Sequence, residues 1–380
     1  MNERQVLMTR PKMAGILSLL TLALLLSAAP LFPAALYADG IAPDGSSVTI
    51  AQIFPDPLLA NWVAQGLGNQ DKNAYTPSAA ELAGISGQLS LAGQSEFTDW
   101  TGIQYLVGLS GINFDDTNVT GNLSALAALS ALTELRIGSP NVEGDIASLS
   151  VLTGLTELNL QWTVYNNGYT EHPDGNQKIV GGIAALANMT NLTELDLGWT
   201  GVSGDLADIA GLTDMVKLQL SGTPVEGDIA SLGGMTDLEE LWLDTIPDGR
   251  HRIRGNLSAL TGLTKLRYIG LSSGAVEGNL TALLPLTGLH HLNIGTASGD
   301  TATIAAMSNL NAIWLRGDME GDLAALAGRT GIIYLNIANA RVYGDISSLA
   351  GLTLISRLNL SNQKITLPPV QFSGAPISVP

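Results

Sequence analysis

The chain has no cysteine, only four histidines, and aromatic residues amount to 5% of its 380 positions. Without thiols there can be no disulfide framework, thiolate zinc centre or cysteine nucleophile. Four histidines also leave little material for an imidazole-bound metal, and the pattern calls for no cofactor. Charge is sparse and one-sided, with 17 lysines and arginines against 34 aspartates and glutamates, a net charge of −17. A nucleic-acid binder needs a basic face to meet phosphates, so that class is excluded. Charged residues are 13% and apolar residues 46%, which excludes disorder over most of the length. Glycine is abundant: 43 glycines and 16 prolines in an apolar background imply many short elements divided by turns.

The first segment reads as an export signal. Arg4, Arg10 and Lys12 precede an apolar run from Ala14 to Ala29, followed by Pro30, Pro33 and small residues around Ala34, Ala35 and Ala38. A basic lead, a short apolar stretch and a small-residue exit predict residues 1–38 to be a signal peptide cleaved after Ala38. The alternative is an uncleaved anchor, which would be the chain's one contact with membrane. Removing Glu3 and the three basic residues takes the net charge from −17 to −19.

Beyond residue 85 the sequence repeats. The first apolar residue of each Leu-x-Leu or Ile-x-Leu element falls at Leu89, Ile112, Leu135, Leu158, Leu195, Leu218, Leu241, Ile269, Leu292, Ile313, Leu335 and Leu358. The intervals are 23, 23, 23, 37, 23, 23, 28, 23, 21, 22 and 23. A period of this length with this pattern is the signature of leucine-rich repeats. In the unit 215–237, Leu218 and Leu220 alternate with Lys217, Gln219 and Ser221, as a strand with one buried face requires. Val225 then turns inward, and Ile229, Leu232 and Met235 follow at intervals of three, which suits a 3₁₀ segment returning on the other side. The expected fold is an α/β solenoid, a horseshoe with a parallel concave sheet and a 3₁₀ or irregular convex side. Parallel stacking at ~4.8 Å would make it roughly 55 Å across its twelve units.

Gly followed by Asp or Asn recurs in these units, including Asp145, Asp205, Asp228, Asp322 and Asp345 as well as Asn122, Asn256 and Asn279. Calcium needs six or more converging oxygens, whereas here an apolar residue follows each Asx. The side chains are therefore read as structural caps of the next segment, with glycine permitting the turn before it, and no metal is expected. The three asparagines lie in Asn-x-Ser/Thr triplets, where a glycan would disrupt the cap; this favours a bacterial over a eukaryotic secretory origin.

These features resemble the secreted leucine-rich repeat proteins of Gram-positive bacteria, of the internalin type. Ile53-Phe54-Pro55-Asp56-Pro57 leads into Leu58, Leu59, Trp62, Val63 and Leu67, and Thr76-Pro77 precedes Ala80, Leu82 and Ile85. Both stretches read as short helices opened by a capping residue and a proline. The resemblance implies that residues 39–84 form a helical cap over the first repeat, with the solenoid over 85–363. Residues 364–380, beginning Lys364-Ile365-Thr366-Leu367-Pro368-Pro369-Val370, look like the family's passage into an immunoglobulin-like domain. Either that domain is missing here or residues 365–372 close the sheet as an edge strand. Where many such repeats place a turn asparagine, this chain has Thr117, Thr163, Thr200 and Thr223, then Gly274, Asp318, Ala340 and Gln363.

No catalytic residue emerges, and an enzyme is not expected. Gly270-Leu271-Ser272-Ser273-Gly274 matches a serine-hydrolase pattern, but the register makes Leu271 a core strand residue with no helix directly after it. His290-His291 has no accompanying ligand set and reads as a surface pair. Arg316-Gly317-Asp318 spells the tripeptide that integrins recognise, yet the register sets Arg316 on the strand and Asp318 in a packed turn.

The concave face has the better claim to function. Strand parity stacks Glu134, Glu157, Glu194, Lys217, Glu240, Tyr268, His291, Ala312, Tyr334 and Arg357 in one column, with Trp242 and Trp314 in the next. The expected partner-binding residues are Trp242, Tyr268, His291, Trp314, Arg316, Tyr334 and Arg357, because aromatic residues with arginine make binding hot spots. The long intervals place two insertions on the same rim, one bearing Tyr165, Tyr169 and His172, the other Arg250, His251 and Arg252. Trp162 and Trp199 are expected to stack at the base of the first. The chain is thus expected to be a non-catalytic extracellular recognition module, secreted or surface-displayed, binding a host or envelope protein. A glycan-binding adhesin and a spacer presenting a further domain are the alternatives.

Overall fold

The computed structural model describes residues 48–161, 164–166, 169–171, 176–244, 252–272, 275–338, 340–361, 364–366 and 377–378; at 164–166, 169–171, 176, 364–366 and 377–378 only the backbone is described. The expected signal peptide lies outside the described residues.

The repeat builds a parallel sheet of thirteen strands among the described residues, running in sequence order. They are β1 (Gly87–Ser90), β2 (Leu109–Asn113), β3 (Glu134–Arg136), β4 (Glu157–Asn159), β5 (Glu194–Asp196), β6 (Lys217–Gln219), β7 (Glu240–Trp242), β8 (Tyr268–Leu271), β9 (His291–Ile294), β10 (Ala312–Leu315), β11 (Tyr334–Asn336), β12 (Arg357–Asn359) and β13 (Ile377–Ser378). Each strand buries its first core residue against the same position of its neighbours, as in the pairings Leu195↔Leu218↔Leu241. Leu218, Leu220, Val225, Ile229, Leu232 and Met235 of one unit are all buried. No unit could cover so many apolar side chains alone, so stability belongs to the interfaces between neighbours. The fold is a leucine-rich repeat solenoid.

The return segments are four-residue 3₁₀ turns such as Ile146–Leu149 and Ile229–Leu232. Asp145, Asp205, Asp228, Asp322 and Asp345 each accept a bond from the backbone N–H two residues on, at 2.8–2.9 Å. Glycine precedes these residues for two reasons, seen at Gly227. Its φ is +128°, and a Cβ there would sit 2.6 Å from the Asp205 Oδ1 of the previous repeat. The cap of one unit thus nests against the glycine of the next. At the turn after the strand, threonine does the work of asparagine: Thr117, Thr200 and Thr223 are buried and donate to the carbonyls of Phe114, Leu197 and Leu220 at 2.8, 2.8 and 2.6 Å.

Several details depart from the expectations drawn from the sequence. The inward-turning Val225 position belongs to a second row of short parallel strands. They form one seven-stranded sheet running from Gly121–Asn122 to Ala275–Glu277 and one four-stranded sheet from Gly299–Asp300 to Lys364–Thr366. The 21-residue interval returns through an α-helix, Thr301–Ala306, instead of a 3₁₀ turn. Arg329 from the next repeat reaches its C-terminal end and donates to the carbonyls of Ile304, Ala305 (3.3 Å), Ser308 (3.3 Å) and Leu310 (2.7 Å). At the C-terminal end Lys364–Thr366 forms the edge of the four-stranded sheet, and Ile377 pairs with Leu358 on the concave face; residues 367–372 of the expected closing strand lie outside the described residues.

At the other end the described residues form three short helices, α1 (Ile50–Ile53), α2 (Pro57–Gly66) and α3 (Ala79–Gly84). Asp56 opens α2 with Pro57 behind it, and its buried carboxylate accepts from Leu58 N at 2.9 Å and Thr98 N at 3.0 Å, which ties the helix to the first repeat. Thr76-Pro77 does not open α3. Ser78 does, through a reciprocal capping box with Glu81, because only Ser78 has the acidic partner three residues on.

Candidate functional site: the concave face

Strand register fixes which side chains face out together. One column runs Glu240↔Tyr268↔His291↔Ala312↔Tyr334↔Arg357, and the next runs Trp242↔Gly270↔Asn293↔Trp314↔Asn336↔Asn359. Two small residues interrupt these columns, and the two tryptophans use the room. A Cβ at Gly270 would lie 2.6 Å from Cε3 of the Trp242 indole. Ala312 is buried between His291 and Tyr334, and Trp314, two residues on, spans the space above it.

The result is one continuous aromatic ladder. Trp242 stacks on Tyr268 with centroids 6.1 Å apart and meets His291 edge-on at 5.0 Å. His291 stacks on Trp314 at 4.9 Å, Trp314 on Tyr334 at 5.4 Å, and the Arg357 guanidinium lies over Tyr334, 5.9 Å from its centroid. Tyr268 is exposed, and Trp242, His291, Trp314 and Tyr334 are half-buried. Burial among these rings lowers the His291 pKa below 6.5, with Asp244 pulling weakly the other way. His291 is therefore a half-buried rung of the ladder, held toward its neutral form, and not one of a surface pair. Asp244 holds the edge of the site by accepting from Ser272 N at 2.6 Å.

The other half of the face is acidic but internally braced. Arg136 pairs with Asp115 at 2.8 Å and with Glu157, and Lys217 pairs with Asp196 at 3.2 Å. Asp196 is 4% exposed, and desolvation raises its pKa despite Lys217 and the Gly198 N–H. In the orientation its neighbours require, the Gln161 amide nitrogen donates to both Asp196 oxygens at 2.8 and 2.9 Å. Asn159 and Asn359, like Asp196, accept the N–H two residues on at 3.1 Å, and Asn336 does so at 3.3 Å. These side chains close the strand ends, a role the sequence reading missed; its signal was the return of Asn, Asp or Gln to the position between the two core residues, as at Asn113, Asn159, Asp196, Gln219, Asn336 and Asn359. A cleft of about 240 Å³ opens beside the ladder, lined by Trp314, Tyr334, Asn336, Arg357 and Asn359.

Arg316 is exposed at the end of β10 and stands on the same face without joining the ring contacts. Asp318 is not in a packed turn: its side chain is 81% exposed, with Arg341 at 4.0 Å, because Gly317 carries the close contact with the preceding repeat instead. On the rim, the first insertion forms an antiparallel hairpin, Val164–Asn166 with Tyr169–Glu171. This sets the backbones of Tyr165 and Tyr169 opposite one another's strands. Arg252 lies half-buried before the strand Ile253–Asn256. His172, Arg250, His251 and Trp162 lie outside the described residues. Trp199 adopts φ +62°, and its indole covers Gly222 of the following repeat. Among the described residues there is no cluster of three potential metal ligands, and no helix is long and apolar enough to cross a membrane.

No protein-family model and no curated protein matches the sequence. Among solved structures, the chain is similar to an internalin (inlF) from Listeria monocytogenes, at 25% identity over 84% of this chain and 93% of that one, with a TM-score of 0.58. It is also similar to the plant peptide hormone receptor RGFR1, solved in complex with RGF2, at 22% identity over 74% of this chain and 42% of that one, TM-score 0.53. The functional domain of InlJ from L. monocytogenes is similar at 19% identity over 84% and 72%, TM-score 0.50. The fold is thus that of an internalin-like leucine-rich repeat protein.

Proposed function

We propose that the chain is a non-catalytic, extracellular recognition module, secreted or held at a cell surface, that takes a protein partner on its concave face. The observation that carries this reading is the ladder from Trp242 through His291 and Trp314 to Arg357. It gathers scarce aromatic residues in partly exposed positions on one face, beside a cleft. Aromatic anchors with arginine supply large contact area at low entropic cost, as interface hot spots do. The similarity to an internalin and to a receptor solved with its peptide supports a binding role. Rim residues Tyr165, Tyr169, His172, Arg250, His251 and Arg252 would set specificity.

A protein partner fits the ladder better than a sugar. Sugar rings stack on free aromatic faces, but Trp314 is covered by His291 on one side and Tyr334 on the other. The test is to immobilise the chain and, in parallel, Trp242→Ala/Trp314→Ala, and expose both to solubilised cell-surface protein and to a glycan array. Protein held by the wild type and lost by the variant supports the reading. Retention of glycans alone would assign the face to carbohydrate, and no retention by either would leave a spacer.

A further inference from the structure

The concave face is electrically divided in a way its use as a docking surface would exploit. Outward positions on a strand are the residues one before, one after and three after its first core residue. On β2–β7 these eighteen positions carry seven carboxylates and two basic side chains, a net charge of −5. On β8–β12 the fifteen equivalent positions carry Arg316 and Arg357 and no carboxylate, a net charge of +2 with His291 neutral. Over equivalent positions the two halves thus differ in net charge by seven, from −5 to +2.

Pairing within the face sharpens this division. Arg136 and Lys217, the two cations of the acidic half, are both engaged by neighbouring carboxylates, so they do not present positive charge outward. Glu194 remains exposed, and Glu134 is met by the neutral amide of Gln88 at 2.7 Å. In the other half, Trp314 and Tyr334 have both ring faces covered, so a partner meets ring edges. Aromatic edges carry the positive part of the ring quadrupole and favour carboxylates, carbonyl oxygens and the faces of other rings. The edges therefore have the same sign as the arginines flanking them.

We propose that the concave face is a polarised groove for a single polypeptide segment of matching polarity. Acidic side chains of the segment, interleaved with an aromatic residue, lie over Arg316, Trp314 and Arg357. Its basic side chains lie over Glu134 and Glu194. From β3 to β12 is nine strand spacings, about 43 Å at ~4.8 Å each, which an extended segment of about thirteen residues spans. This rests on the recognition reading above and adds the partner's chemistry and orientation.

The test is to pan a displayed library of random 16-residue peptides on the full chain, sequence the retained peptides, and repeat with Arg316→Glu/Arg357→Glu and with Glu134→Lys/Glu194→Lys. Retained peptides should carry Lys or Arg toward one end and Asp or Glu beside an aromatic residue toward the other. Each charge-reversed pair should weaken such a peptide by roughly tenfold or more, and the wild-type interaction should weaken with added salt. Peptides that are uniformly basic or neutral, or binding indifferent to both reversals, would overturn the polarity. If those same peptides are still lost on Trp242→Ala/Trp314→Ala, the recognition reading survives alone. If the wild type enriches nothing beyond that double variant, both readings fall.

Discussion

His291 and Trp314 stack with centroids 4.9 Å apart and planes 29° from parallel, although the register sets Ala312 beside His291. The tryptophan reaches back over the alanine and so lies between His291 and Tyr334. Filling that slot should break the ladder. Ala312→Leu is expected to displace the indole and abolish partner binding, read by near-ultraviolet circular dichroism alongside a binding assay. Trp314→Ala loses two ring contacts at about 0.5–1.5 kcal/mol each, a cost of about 1–3 kcal/mol that leaves the solenoid folded.

The ladder also makes stability depend on pH. Because burial lowers the His291 pKa in the folded chain, the unfolded chain takes up a proton first as pH falls past 6.5. Stability from this group should decline from there and level off once the folded state is protonated too. Urea midpoints at pH 7.5, 6 and 5 should show the slope, and His291→Gln should remove it.

Asp196 sits where other strands place asparagine, and its charge is buried. Asp196→Asn keeps an acceptor for Gly198 N–H and removes the desolvation cost, while Lys217, 30% exposed, can turn to water. The folded-state pKa of Asp196 is raised, so its charge opposes folding increasingly as pH rises above 3.8. The variant should gain about 1 kcal/mol at pH 7. Equal or lower thermal stability would show that the Lys217 pair outweighs desolvation.

Gly227→Ala should destabilise by about 1–3 kcal/mol, since it meets both a left-handed φ and the Asp205 cap. Gly211→Ala, at a glycine with open space and no positive φ, is the control and should change little.

Arg329→Met should destabilise by about 2–3 kcal/mol, because it strips donors from carbonyls at the end of the Thr301–Ala306 helix. Hydrogen exchange should rise first in that repeat and leave the repeats before β7 unchanged.

The solenoid was legible because a core leucine or isoleucine marks it twelve times over, seven of the eleven intervals being 23 residues, and register then follows from parity. The membership of the concave columns was legible for the same reason. That Trp242, Tyr268, His291, Trp314, Tyr334 and Arg357 would touch was not, since contact depends on Gly270 and Ala312 leaving room on neighbouring strands. The second row of strands was hidden as well: two-residue pairings such as Gly227↔Ile253 and Asp228↔Arg254 exist only once the next repeat supplies the partner.

Spacing along the chain therefore determined the architecture, the strand parity and which residues could share a face, because in a stacked repeat these follow from period alone. Tertiary structure decided what those residues do there. Burial held His291 toward its neutral form, ion pairing turned Arg136 and Lys217 inward, and backbone bonds committed Asn336 and Asn359 to closing strand ends. Each of these depends on distance to side chains one repeat away or on the packing of a particular turn, and a one-dimensional pattern carries neither.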